Sequence, residues 1–204
     1  SHHMITEDGT ITHQSEWIDR EKGMFPNFRF IRALKASLGN DSGTIFRFAT
    51  HENTIVNAIY DQLETSSVSD KEELQAFIRE ISHSKNDRAN TWRGSRDMVD
   101  LCEVVKKYFY HPYMGGSNSI KSVLPAVIKL STDIQQKYSK PIGSINLTSH
   151  NFSDDHVWIN DPNISPYKNL PELDFSDLDS SMSEMEKIQN GGAALVAYAK
   201  LQYE

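Results

Sequence analysis

Two acids sit where helices begin. Glu52 follows a β-prone run over residues 43–49, and Asp100 lies at the start of an apolar-periodic segment. A carboxylate in a first helical turn favours the helix dipole. The end of a strand is also a place where a carboxylate can serve a metal site, and residue type alone leaves both readings open. Arg79, Lys85, Arg88, Arg93 and Arg96 share one stretch with Trp92. Such a basic segment with an aromatic suits a groove for single-stranded nucleic acid, and equally an exposed surface loop. Tyr108, Phe109, Tyr110 and Tyr113 form an aromatic cluster able to stack bases, with packing into the core as the preferred reading. His111 precedes Pro112 in a Gly-rich turn, which it can tie by hydrogen bonding, and Lys121 by itself reads as a solvated lysine.

Other chemistries find little support. Cys102 is the only cysteine and lies among Val99, Leu101, Val104 and Val105, so it forms no internal disulfide and reads as a small core filler. His150 and His156 have no cysteine partners for a structural zinc site. Gly191-Gly192 follows no strand and reads as a helix irregularity, not as a phosphate loop. No Ser-His-Asp arrangement emerges from linear order.

These residues must be positioned by a chain of 204 residues that is 38% hydrophobic and 24% charged, enough for a real core in one large domain or two small ones. A net charge of -7 argues against a surface coated in basic groups for long duplex contacts, though not against a small basic groove. No apolar run approaches the roughly 18 residues of a membrane span, and no basic segment followed by an apolar stretch opens the chain, so a cytoplasmic location is expected by default.

Asp8-Gly9 lies between short β-prone runs and predicts a hairpin of residues 1–8 and 10–18, unless Ser1-His2-His3-Met4 is the scar of a tag. Helical spacing predicts helices near 28–38, 52–64, 70–82, 98–110, 117–130 and 182–203, with a strand at 43–49. Thr50 is a candidate cap for the second helix, whose core face reads as Ile55, Val56, Ile59, Tyr60 and Leu63. Ser69-Asp70-Lys71-Glu72 reads as a capping box for the third. Pro125 interrupts the 117–130 helix, and residues 141–179 read as an irregular excursion with a short strand near 157–159. The expected architecture is an α/β sheet of at least three strands from residues 1–50, flanked by helices.

Four stretches together resemble one bacterial family. They are His3-Met4 with the Asp-Gly hairpin; Phe46-Arg47-Phe48-Ala49-Thr50-His51-Glu52; the run from Asp97 through Tyr110-His111-Pro112 and Gly116-Ser117 to Ser119-Ile120-Lys121 and Val123-Leu124-Pro125; and Ile188-Gln189-Asn190-Gly191-Gly192. The family is that catalogued as domain of unknown function 2779, and the resemblance spans roughly residues 1–128 and 180–204. It implies a branch of the DEDD exonucleases, with a ribonuclease-H-like mixed sheet flanked by helices. Such enzymes hold two Mg²⁺ or Mn²⁺ ions about 4 Å apart on four acids, one ion activating water and the other stabilising the leaving oxygen.

Carried over by residue, the first motif, Asp-x-Glu on the first strand, has no counterpart, so the chain reads as an excerpt starting on its second strand. The second motif, usually Asn-Ala-Ser-Phe-Glu, matches Phe48-Ala49-Thr50-His51-Glu52, keeping Glu52 as a metal ligand and catalytic acid. Asp100 matches an acid after the next strand. Asn190 stands where the family often has Asp, and is a poorer metal ligand. His111 and Lys121 would contact nucleic acid through the family pattern, and Arg88, Trp92 and Arg93 are nucleic-acid-binding candidates from the composition of the basic stretch. The expected reading is a single exonuclease-like domain over 1–204, inactive as it stands, whose intact parent carries another nuclease-like region N-terminal to it. The alternatives are a non-catalytic nucleic-acid-binding or domain-docking module of the same fold and, outside that class, a small-molecule hydrolase or transferase using loop 141–179 as a lid. An unpaired sheet edge left by the missing strand implies a homodimer.

Overall fold

The computed structural model describes residues 1–84, 90–169, 194, 198 and 199. In chain order the elements are strands β1 (His2–Ile5) and β2 (Ile11–Ser15), helix α1 (Asn27–Leu38), strand β3 (Phe46–Arg47), helices α2 (His51–Glu64) and α3 (Lys71–Ile81), strand β4 (Val99–Asp100), and helices α4 (Leu101–Tyr108), α5 (Ile120–Leu130) and α6 (Thr132–Tyr138). Short 3-10 turns occupy Pro112–Met114, Ile142–Ile145 and Pro166–Asn169.

The architecture is mixed α/β, with helices predominating over two small sheets. β1 pairs with β2, and β3 pairs with β4. The Asp-Gly signal makes the expected hairpin: Gly9 has φ +83°, a region where glycine carries no steric cost, and the Asp8 carboxylate accepts from the Thr10 N–H at 3.0 Å. The single sheet of three or more strands expected over residues 1–50 does not form. β3 ends after two residues because Ala49 turns into the left-handed region, and its partner comes from residues 99–100 instead of from the hairpin. That pair is parallel, with Phe46 opposite Val99 and Arg47 opposite Asp100.

The chain divides into two compact units, where the sequence reads as one domain. The first comprises Ser1–His3, Gln14–Asp19 and Phe25–Ile120. Its core joins α1, α2 and α3 through Ile31, Leu38, Val56, Ile59, Leu63, Leu74, Phe77, Ile78 and Ile81, with Met98 from the approach to β4. Ile78, at the centre of α3, has no exposure, and burying a side chain of that size contributes roughly 1.5–3 kcal/mol. On α2 the buried face differs from the expected one. Ile55 is 40% exposed, whereas Asn53 and Asn57 are buried. Neither expected side-chain cap forms: Thr50 makes no cap bond, and the Asp70 carboxylate is taken by Arg32 at 2.6 and 2.7 Å instead of by the backbone of α3.

The 98–110 helix is shorter than its periodicity suggests, because Val99 and Asp100 are extended and Asp100 caps α4 by accepting from the Cys102 N–H. Phe109 is extended again and ends it.

The second unit comprises Met4–His13, Arg20–Met24 and Lys121–Glu204. Pro125 lies inside α5, and the Ser131 hydroxyl caps α6 through the Ile134 N–H. The described part of the irregular excursion is tied down by backbone bonds. Ile142, fully buried, donates to His156 O, Gly143 donates to Asp154 O, and Ile159 donates to Tyr138 O. The strand expected near 157–159 is absent, because that one bond anchors Ile159 without a neighbouring ladder. The helix expected at 182–203 lies outside the described residues except at Ala194, Tyr198 and Ala199, which are helical.

Candidate functional site

The β3–α2 connection and the start of α4 meet at the carboxyl ends of the two parallel strands. Ala49 has φ +72°, a conformation that costs an L-residue with a side chain roughly 1–2 kcal/mol. It is held there from both sides. Its N–H donates to Asp100 Oδ1 at 2.9 Å, and its carbonyl accepts from the Arg47 guanidinium. Asp100 Oδ1 also accepts from the Cys102 N–H at 2.9 Å, and Oδ2 accepts from Arg47 Nη1 at 2.8 Å. The two side chains of this ion pair are only 5% and 9% exposed. Asp100 therefore closes the strand pair, caps α4 and fixes the strained residue before α2. Strain of this kind persists only where its surroundings over-determine it, and it gathers at functional sites.

Glu52 lies in the first turn of α2 and is exposed. Asp100 thus ends β4, and Glu52 lies just beyond β3 in the helix that follows it, on the side of the strand pair where open α/β sheets place their ligands. Their surroundings differ. Glu52 faces solvent, whereas three donors engage Asp100.

A second cluster in the same unit escaped the sequence reading. His83 Nδ1 lies 2.8 Å from Asp97 Oδ1, and Asp97 Oδ2 accepts from Arg93 Nε at 2.9 Å. The His83 backbone is fixed by α2: its carbonyl accepts from Asn53 and Asn57 Nδ2 at 3.1 and 3.0 Å, and its N–H donates to Asn53 Oδ1. This arrangement selects the tautomer with the proton on Nδ1. Two asparagines at i and i+4 on a helix stripe were the available signal, since buried amides need partners.

The basic stretch disperses into structural roles. Trp92 is half-buried, packs on the Tyr60 ring at 4.9 Å, receives the Arg79 guanidinium at 5.7 Å and donates its indole N–H to Ser82 Oγ. Arg96 donates to Leu38 O, Gly43 O and Asp41 Oδ1. Arg93 is paired with Asp97 although its side chain is 84% exposed. Arg88, Lys85 and Asn190 lie outside the described residues. His111 ties its turn, as its surroundings suggest: Nδ1 accepts from the Tyr113 N–H at 3.2 Å and the two rings lie 4.6 Å apart. Lys121, in the second unit, is exposed, with Nζ 6.0 Å from the Tyr167 ring.

The aromatic cluster reverses its preferred reading. Tyr108, Tyr110 and Tyr113 are 81%, 78% and 53% exposed and are not core residues; only Phe109 turns partly inward. Cys102 is buried as expected, its thiol 3.7 Å from Asn118 O. In the second unit His150 stacks on buried His13 at 4.3 Å and donates its N–H to His13 Nδ1.

Among the described residues, no helix is long and apolar enough to cross a membrane. Comparison with curated proteins and with solved structures finds no match. The family described as Domain of unknown function (DUF2779) matches residues 1–119, covering the hairpin, both parallel strands and the turn after α4, and the chain belongs to that family.

Proposed function

We propose that this chain is a nucleic-acid-binding domain of ribonuclease-H-like, exonuclease-related type. The observation that carries the reading is Asp100 at the carboxyl end of β4, clamping a strained and over-determined Ala49 in the connection between β3 and α2, with the acid Glu52 following in the first turn of α2. The helices α2 and α4 that follow these strands lend their N-terminal dipoles to the same end.

The residues present do not fit a resident Mg²⁺ or Mn²⁺. An octahedral site needs several hard oxygen ligands, and Asp100 has already given its oxygens to Arg47, Ala49 and Cys102. Drawing Asp100 onto a metal would strip the buried Arg47 of its counter-charge. Glu52 alone, with water, binds such an ion weakly. The chain by itself is therefore a binding module. Metal-dependent cleavage, as in a 3'-5' exonuclease, is the second reading, favoured by the acid Glu52 at the start of α2, and it requires acids beyond Glu52 and Asp100.

The test uses the full chain with end-labelled single-stranded DNA and RNA. Anisotropy should show binding that weakens as salt rises, and gels should show no shortening with Mg²⁺ or Mn²⁺. Robust metal-dependent cleavage abolished by Glu52→Ala would overturn the account of the acids, and absence of binding to either nucleic acid at low salt would overturn the function.

A further inference from the structure

The exposed tyrosines at the end of α4 and just beyond it stand in unusual company. No acid occurs between Glu103 and Asp133, although the chain has 28 acids and a net charge of -7, and this stretch carries Lys106, Lys107, Lys121 and Lys129. Within the first unit, Lys106 and Lys107 occupy the last turn of α4 immediately before Tyr108. Lys106 is bound to Glu103 at 2.7 Å, a hydrogen bond that raises its pKa while the carboxylate offsets its charge. Lys107 has no ion-pair partner among the described residues.

The backbone then becomes extended at Phe109 (φ -132°, ψ 121°) and again at His111 (φ -148°, ψ 144°). Successive side chains of an extended segment point to opposite sides. Phe109 accordingly turns inward while Tyr110 points out, 78% exposed, and Tyr108, the last residue of α4, is 81% exposed. Tyr113 follows in the 3-10 turn and rests against the His111 ring, which holds it in place. Rings this exposed have gained little from folding, because most of their apolar area still faces water.

We infer that Tyr108, Tyr110 and Tyr113, with Lys107, form a stacking surface for single-stranded nucleic acid. The assignment rests on the nucleic-acid-binding reading above and adds to it the site and the strandedness of the ligand. Bases stack on the tyrosine faces while lysines meet the phosphates, a combination that tolerates any sequence. A duplex offers no unstacked base to such a surface, so single strands are preferred. Charge favours a polyanion over a protein partner: Lys107, exposed beside the tyrosines, has no ion-pair partner among the described residues, and no acid follows in the sequence until Asp133.

The probe is a fluorescent oligothymidylate titrated against the full chain by anisotropy, with the same sequence as duplex alongside. Tyr108→Ala and Tyr110→Ala should each weaken single-strand binding about tenfold, the equivalent of losing roughly one stacked base. Tyr108→Phe should retain it. Lys107→Ala should flatten the dependence of log affinity on log salt by about 0.7. Because both tyrosines are exposed, urea midpoints should not move, which separates lost contact from lost fold. Wild-type binding unchanged in both alanine variants would overturn this surface while leaving the nucleic-acid reading intact. No wild-type binding to any oligonucleotide would remove that reading itself. A dimer in light scattering that the tyrosine variants dissolve, with oligonucleotide affinity unaltered, would overturn the assignment in favour of a protein interface.

Discussion

Replacing Asp100 by alanine separates its structural service from any service as a ligand. The substitution removes the acceptor for the Ala49 and Cys102 N–H groups and the counter-charge of Arg47, whose side chain is 5% exposed and whose Nε has no hydrogen-bond partner among the described residues. Leaving a buried charge uncompensated costs about 3–5 kcal/mol. Loss of an N-cap alone costs about 1 kcal/mol, and the two overlap because one carboxylate does both. The expected loss for Asp100→Ala is therefore about 4 kcal/mol. At roughly 2–4 °C per kcal/mol for a chain of this size, the melting temperature should fall by about 8–16 °C.

Asp100→Asn keeps a cap oxygen and loses the charge, so it should fall between the variant and the wild type. Arg47→Met in the Asp100→Ala background removes the orphaned guanidinium and should recover part of the loss, which a double-mutant cycle in urea measures directly. An Asp100→Ala variant within about 0.5 kcal/mol of wild type, or more stable than it, would refute the structural role. Greater stability is the outcome expected of an acid retained for ligand binding at the expense of the fold.

Ala49→Gly should be neutral or stabilising by up to about 1 kcal/mol in urea denaturation, because relief of the left-handed strain at φ +72° outweighs the extra freedom of glycine in the unfolded chain. A clear loss would mean that the methyl group packs favourably enough to offset the strain. The Arg32 hydrogen bonds hold the Asp70 carboxyl below its ordinary value of 3.8, so the folded chain binds fewer protons there than the unfolded one. The stabilisation is then present above that ordinary value and is lost as pH falls through the lowered folded one. Arg32→Gln should return Asp70 to the ordinary range in a carboxyl carbon NMR titration and flatten the acid limb of the stability curve. The pair is partly exposed, with side chains 42% and 29% accessible, so the effect on stability should stay below about 1 kcal/mol. An unshifted Asp70 titration in that variant would place the cause elsewhere.

The helices were legible because their signal is local. Leu74, Phe77, Ile78 and Ile81 recur at helical spacing, and all four are buried on α3. Asp8-Gly9 names its turn because only a few residue types accept the backbone geometry there. Caps were less legible, since a carboxylate that matches a capping pattern is still open to a stronger partner: Asp70 went to Arg32, 38 positions away. Sheet pairing was misread for a related reason. A strand of two residues carries almost no period, and its partner lies some 50 positions on.

By itself, then, the sequence determined the helical segments of α1, α2, α3 and α5, the hairpin turn, the buried cysteine, and the acids at the starts of α2 and α4, because periodicity and turn chemistry involve residues within a few positions of one another. It determined neither α6 nor the short span of α4. Tertiary structure alone decided what those acids do. The ion pair of Arg47 and Asp100 joins residues 53 positions apart, and only the register of β3 on β4 makes one carboxylate a buried clamp while leaving the other in solvent. Tertiary structure also decided that the tyrosines at the end of α4 and just beyond it are exposed, because an aromatic residue is core or surface according to what packs over it, and no local pattern encodes that neighbour.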